Sequence, residues 1–127
     1  EVYLVLDDLS YIVKGGRLPN KIKTIADLLR LTPILGVKKG KIKARGVLYG
    51  KSKIVEKFGN YLIKKIKPHK QYRLMIAHAN ANQKGEQLLK LLLTHESIHD
   101  SHLLELGCAL GAHAGPGALA VGFHELD

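Results

Sequence analysis

The sequence predicts an α/β protein of the α+β kind, a two-layer arrangement in which a mixed β-sheet of about six strands is covered by helices. Three observations lead there. Six short stretches are rich in branched and other apolar residues at strand length; the segments between them repeat apolar residues at helical spacing; and only one pair of strands is close enough in sequence for a tight hairpin. The chain has 127 residues, 46% of them apolar. That is the size of one domain with one packed core.

Taken in order, the apolar run Val2, Tyr3, Leu4, Val5 and Leu6 reads as a first strand. It begins at Glu1, so we expect it to be entered from upstream sequence. Asp7 and Asp8 can cap a short helix carrying Leu9, Tyr11, Ile12 and Val13, which Gly15 and Gly16 stop. A second helix is expected over about residues 20–31, with Ile22, Ile25, Leu28 and Leu29 on one face and Pro33 ending it. Residues 34–38 and 41–49 form a hairpin around a turn at Lys39 and Gly40. Over residues 51–67 the spacing of Ile54, Phe58, Tyr61, Leu62 and Ile66 predicts an amphipathic helix closed by Pro68. A buried strand follows at 72–78, then a helix capped by Asn80 or Asn82 and running to about Leu93. Its leucines 88, 89, 91, 92 and 93 are dense enough to bury most of its circumference. Residues 102–106 make a further strand, glycines at 107, 111, 115 and 117 punctuate a loop, and residues 118–123 form the last strand.

Charge is unevenly spread. The formal net charge is +9, and all 20 Lys and Arg lie within residues 1–90, which hold six of the 11 acids. The densest stretch, residues 38–73, carries 13 basic side chains against the single acid Glu56. Such a field attracts anions, so a basic module that binds nucleic acid or an acidic partner is the alternative reading. A lysine-coated solvated surface is favoured over it, because 16 of the 20 are Lys, Trp is absent, and no nucleic-acid-binding signature is present. No apolar run approaches the ~20 residues of a membrane helix, so no stable membrane insertion is expected. Cys108 is the only cysteine. It can form no internal disulfide or thiolate zinc cluster, which fits a reducing, cytoplasmic setting.

Three blocks carry a family likeness: LSYIVKGGRL at residues 9–18, PILGVKKGKI at 33–42 and GAHAGPGAL at 111–119, with AHAN at 77–80 between the last two. In these the chain resembles the second, C-terminal domain of DegV proteins, nearly end to end and in family order. A His inside a glycine-proline segment is the most specific of the marks. The resemblance implies the EDD fold, with a second domain like those of DegV and dihydroxyacetone-kinase-like proteins. It also implies that residues 1–127 are the single lipid-binding domain of a two-domain or larger bacterial protein whose upstream domain is missing here.

By that likeness the protein is a carrier and not an enzyme. It binds a long-chain fatty acid and presents the carboxylate to a separate fatty acid kinase subunit, related to dihydroxyacetone kinase, for acyl-phosphate formation. No cofactor or metal is expected. His113 should bind the acid's head group within the segment Gly111, Ala112, Ala114, Gly115 and Gly117, with Arg17 as the nearest matching guanidinium. The residue chemistry agrees, since backbone N–H groups freed by glycine conformations and an imidazole suit a carboxylate. This chain departs from the family at Ala112, where relatives commonly have Thr, and at Tyr49, where many have Arg; Arg45 and Lys51 lie near the latter. A tail needs a long apolar lining, each buried methylene contributing about 0.8 kcal/mol. The candidates are Ile12, Ile22, Ile25, Leu28, Leu29, Ile34, Phe58 and Leu62, all equally suited to ordinary core.

Three other signals are weaker. HESIH at residues 95–99 matches HExxH, which on a helix aims two imidazoles at one zinc, but it falls at a helix end with no third ligand at a characteristic spacing. A surface turn explains it more simply. The stretch from Gly115 to Ala120 fits GxGxxA, yet only ten residues follow Gly117, too few for a helix, a second strand and the ribose-binding acid. Cys108 reads as a small buried thiol, not a nucleophile.

Overall fold

The computed structural model describes residues 1–126. The strands are β1 (Val2–Val5), β2 (Leu31–Lys38), β3 (Lys41–Tyr49), β4 (Gln71–His78), β5 (Ile98–Glu105) and β6 (Leu119–Leu126). The helices are α1 (Ser10–Lys14), α2 (Asn20–Leu29), α3 (Ile54–Ile63), α4 (Asn82–Leu93) and α5 (Cys108–Ala114). The strands form one open mixed sheet in the order β3-β2-β1-β6-β4-β5. Only β4 and β5 run parallel, and α4 is the crossover that a parallel pair requires.

Strand periodicity sends alternate side chains to opposite faces. Tyr3 and Val5 of β1 join the larger core, where Ile34, Leu74, Ile76, Leu119 and Val121 meet Phe58 and Leu62 of α3 and Leu88 and Leu92 of α4. Leu4 and Leu6 face the other way, into a smaller cluster with Leu9, Ile12 of α1, Leu18, Ala26 of α2 and Leu35. Helices therefore lie on both faces. The pair α3 and α4 covers the first face, while α1, α2 and α5 cover part of the second and leave Val2, Val37, Met75 and Leu104 each at least 40% exposed.

Several boundaries differ from the sequence expectation. α2 stops at Leu29 because Arg30 adopts a left-handed conformation (φ 54°), and Pro33 sits inside β2. The proline is tolerated there because β1 pairs only with Leu35, Gly36 and Val37, so no ladder bond needs its missing N–H. α3 occupies Ile54–Ile63 rather than 51–67: Lys53 is left-handed at its start, and Lys65 and Ile66 donate three residues back to Leu62 and Ile63 in tightened turns well before Pro68. α4 buries one face only, with Leu88 and Leu92 fully covered and Leu93 47% exposed. Neither Asn80 nor Asn82 caps it; the Ala81 N–H instead donates to Nδ1 of the buried His78.

β5 begins at Ile98, four residues before expectation, and β6 runs on to Leu126. The largest difference is α5, which stands where the sequence predicts a loop. Gly111 lowers intrinsic helicity, and packing of Ala114 into the second core cluster, together with the contact between α1 and α5, outweighs that preference. Whether the Cys108 thiol is buried lies outside the described residues. Among the described residues, no helix is long and apolar enough to cross a membrane.

Candidate functional site

α1 and α5 interlock on the second face of the sheet. Asp8 accepts the Ser10 hydroxyl and also the Ser10 backbone N–H at 2.8 Å, which fixes the start of α1 and holds the Asp8 carboxyl below its ordinary range. At the other end of α1, Gly15 lies against the Nδ1–Cε1 edge of His113: a Cβ placed there would be 2.3 Å from Nδ1 and 3.0 Å from Cε1. Arg17 folds back and donates to the Gly15 carbonyl at 2.7 Å. The two head-group candidates, far apart in sequence, thus converge on one glycine.

The contact is reciprocal. Gly115, which ends α5 at φ +82°, receives the ring of Tyr11, where an added Cβ would be 2.5 Å from Cδ2. Gly117, at φ +89°, lies against the Asp7 carboxylate and donates its N–H to the Ala79 carbonyl at 2.7 Å. Asp7 is itself paired with Lys84, 3.1 Å from both carboxylate oxygens. Gly111, Ala112, His113 and Ala114 lie in α5, so of the anticipated segment only Gly115 and Gly117 have the positive φ that frees loop N–H groups. The expected glycine cradle is corrected to a helix end followed by a two-glycine turn.

His113 stands at the edge of a hollow of about 290 Å³ whose other lining is entirely apolar. Val2, Leu4 and Leu6 come from β1 and the residue after it, Val37 and Ile42 from the hairpin, Ala118, Leu119 and Ala120 from the start of β6, and Ile12, Leu106 and Ala114 close it on the helical side. The volume is close to the lower end of ligand pockets, roughly 300–1,000 Å³. A hollow lined this way can bury a hydrocarbon; His113 borders it without turning polar surface into it, its Nδ1 lying against Gly15.

Of the tail candidates, only Ile12 belongs to this lining. Ile22 and Ile25 border a separate depression of about 140 Å³ beside Pro33 and Val47, and Leu28 and Leu29 are 79% and 59% exposed. Ile34, Phe58 and Leu62 are fully buried in the core on the opposite face of the sheet, where they fill the space between strands and α3. Sequence reasoning missed Val2, Leu4, Leu6, Ala118 and Ala120, which share strand parity as the positions alternate to Tyr3, Val5 and Val121; it also missed Val37, Ile42 and Leu106, and Leu119, which belongs to the first core and still reaches the hollow. That parity is readable in the sequence. Which parity faces the closed core is not, because it depends on where α3 and α4 cross.

The weaker motifs also find places. His95 sits in a turn with its Nδ1 accepting the Ser97 N–H at 3.1 Å, while Ile98 and His99 belong to β5, so HESIH is not helical. Gly117 leads into β6 and not into a helix. Within the basic stretch, several cations have local partners. Arg45 lies over the Tyr3 ring, Lys65 over Tyr61, Lys57 bonds the Tyr49 carbonyl, and Lys70 and Arg73 pair with Glu125 and Asp100.

Fold and site together define an α+β domain with a ligand-sized apolar hollow and an imidazole at its edge. The chain belongs to the DegV family: that family's model, described as an uncharacterised protein family, matches residues 1–126. A DegV domain-containing protein of Streptococcus pneumoniae is 33% identical over 126 residues, covering 95% of this chain and 43% of that protein. The crystal structure of a fatty acid binding DegV family protein from Streptococcus agalactiae superposes with a TM-score of 0.79 at 31% identity, covering 96% of this chain and 43% of that one. A DegV family protein from Thermus thermophilus, whose structure is described for its fatty acid binding, shares the fold with a TM-score of 0.81 at 22% identity, over 99% of this chain and 45% of that one. The chain therefore spans less than half the length of these relatives.

Proposed function

We propose that this chain is the lipid-binding, C-terminal half of a DegV-type carrier that holds a long-chain fatty acid and presents its carboxylate to a kinase subunit. The observation that carries this reading is the apolar hollow between β1, β6 and the helices α1 and α5, with His113 at its edge. The tail lies along Leu4, Leu6 and Ala120. The carboxylate is held by His113, with Arg17 close by through Gly15. An imidazole N–H donated to a carboxylate is a hydrogen bond to a charged acceptor, stronger than one between neutral groups. The fatty acid binding described for the Streptococcus agalactiae relative supports the ligand class. The remainder of the site comes from an upstream domain, and the partially uncovered second face of the sheet is where that domain closes over the lipid. The protein itself performs no catalysis in this scheme and works in the cytoplasm.

The full-length protein, purified without added lipid, should release a fatty acid into organic solvent, visible by mass spectrometry at close to one equivalent. Replacing His113 by Ala should weaken acyl-phosphate formation with the cognate kinase on the order of tenfold or more, as expected for loss of a hydrogen bond to a charged group. A protein free of lipid, or a His113→Ala variant turning over normally, contradicts the assignment.

A further inference from the structure

We propose that Gly15 is a positioning residue for the His113 imidazole, so that the first glycine after α1 works as a seat for the group at the pocket edge. This role deepens the head-group reading above and rests on it. Gly15 and Gly16 are not equivalent. Gly16 has φ +76°, a conformation that an L side chain rarely adopts, and an added Cβ there would meet nothing within 4 Å. Its glycine is explained by the backbone alone.

Gly15 is the opposite case. Its φ and ψ are −75° and −2°, ordinary right-handed geometry open to any residue. Glycine at the end of a short helix gains nothing from such a conformation and carries the larger entropy cost on folding. What excludes a side chain is His113: a Cβ would lie 2.3 Å from Nδ1 and 3.0 Å from Cε1. The imidazole occupies the volume that an alanine methyl would take.

Two further contacts hold the seat. Arg17 donates to the Gly15 carbonyl at 2.7 Å, which fixes the peptide on which the ring rests. On the far side Tyr11 lies on Gly115, the second residue after His113, where an added Cβ would be 2.5 Å from the Tyr11 ring. A bare glycine just past each helix thus receives a ring from the other, and the Tyr11 contact on Gly115 helps hold the two helix ends together. Gly15 touches no ligand in this arrangement. It acts through His113.

The test is a double-mutant cycle in the full-length protein with [1-13C]hexadecanoic acid as the probe. Gly15→Ala, His113→Ala and the combined variant are compared for hexadecanoate affinity, and the His113 ring resonances are followed by NMR in the first. The seat predicts that Gly15→Ala shifts the His113 ring signals and weakens hexadecanoate binding by the same factor as His113→Ala, within about twofold. The combined variant should be no weaker than His113→Ala alone, because coupled residues do not add. Should Gly15→Ala lower the thermal midpoint, removing the imidazole in the combined variant should restore it, since the clashing atoms are gone.

Unmoved ring resonances in Gly15→Ala, effects that multiply in the combined variant, or a lowered midpoint that is not restored would each overturn the seat. If the ring moves and His113→Ala binds hexadecanoate like the parent, the head-group role of His113 fails and the positioning role fails with it. If His113→Ala weakens binding and Gly15→Ala does not, only the positioning role fails.

Discussion

Tyr3 shows how a single residue couples the sheet to solvent conditions. Its side chain is 1% exposed, its ring stacks edge-on against Tyr61 at 5.9 Å between centroids and lies under the Arg45 guanidinium, and its hydroxyl donates to Glu1 at 2.9 Å. Burial first, and then the hydrogen bond to the Glu1 carboxylate, push its pKa up to about 12 from 10.0. A phenol whose folded pKa is raised contributes stability in full below the unfolded value and loses it as pH rises through the folded value. The window for that loss is pH 10 to 12. A tenfold difference in proton affinity corresponds to about 1.4 kcal/mol, and water around the exposed Glu1 carboxylate screens part of the effect, so ionising Tyr3 should cost the fold on the order of 1–2 kcal/mol. Alkaline unfolding of Tyr3→Phe, followed by circular dichroism against the parent, should lack that component; curves with equal slopes through this window would show that Tyr3 does not set it. At this scale the sequence is partly legible. His113 and Arg17 stand out by their family pattern, but the ring-on-glycine contacts that join them depend on a helix pairing no local spacing reveals.

Elements with strong periodicity are legible in kind and less so at their ends. β4 alternates buried and exposed positions almost without fault, and α3 shows its apolar stripe plainly. Helix boundaries escape sequence reading where left-handed residues other than glycine set them, at Arg30 after α2 and Lys53 before α3. α5 is hidden because Gly111 within it, and the glycines that flank it, mask a helix that tertiary contact stabilises. The division of the apolar residues between core and pocket follows from the same geometry. Phe58 of α3 is fully buried on the face opposite the hollow, and Gly59 beside it lets Leu91 approach so closely that a Cβ would be 2.2 Å from its Cδ2. Phe58→Ala should thus cost about 3–5 kcal/mol in denaturant unfolding while leaving fatty acid affinity unchanged at temperatures where the variant is folded. A large loss of affinity in folded Phe58→Ala protein would place the tail on the α3 side instead.

For the molecule as a whole, the asymmetry between the two faces of the sheet is the organising feature. One face is sealed by α3 and α4; the other is covered over only part of its extent, and the apolar hollow opens where the cover ends. The mixed sheet and its helices are legible from alternating apolar runs and helical repeats. The inequality of the two faces is not, because it is set by strand order, which places β1 and β6 side by side at the centre although they lie at opposite ends of the chain. Central strands buried on one side and lipid-facing on the other would account for the apolar residues of both parities in β1. The direct measurement is anomalous diffraction from crystals of the full-length protein grown with hexadecanoic acid brominated at its terminal carbon. A bromine peak is expected on the second face of the sheet, along the line of Leu4, Leu6 and Ala120, with the carboxylate density beside His113. Bromine among Phe58, Leu62 and Leu92, or a carboxylate remote from His113, would contradict a lipid held on that face.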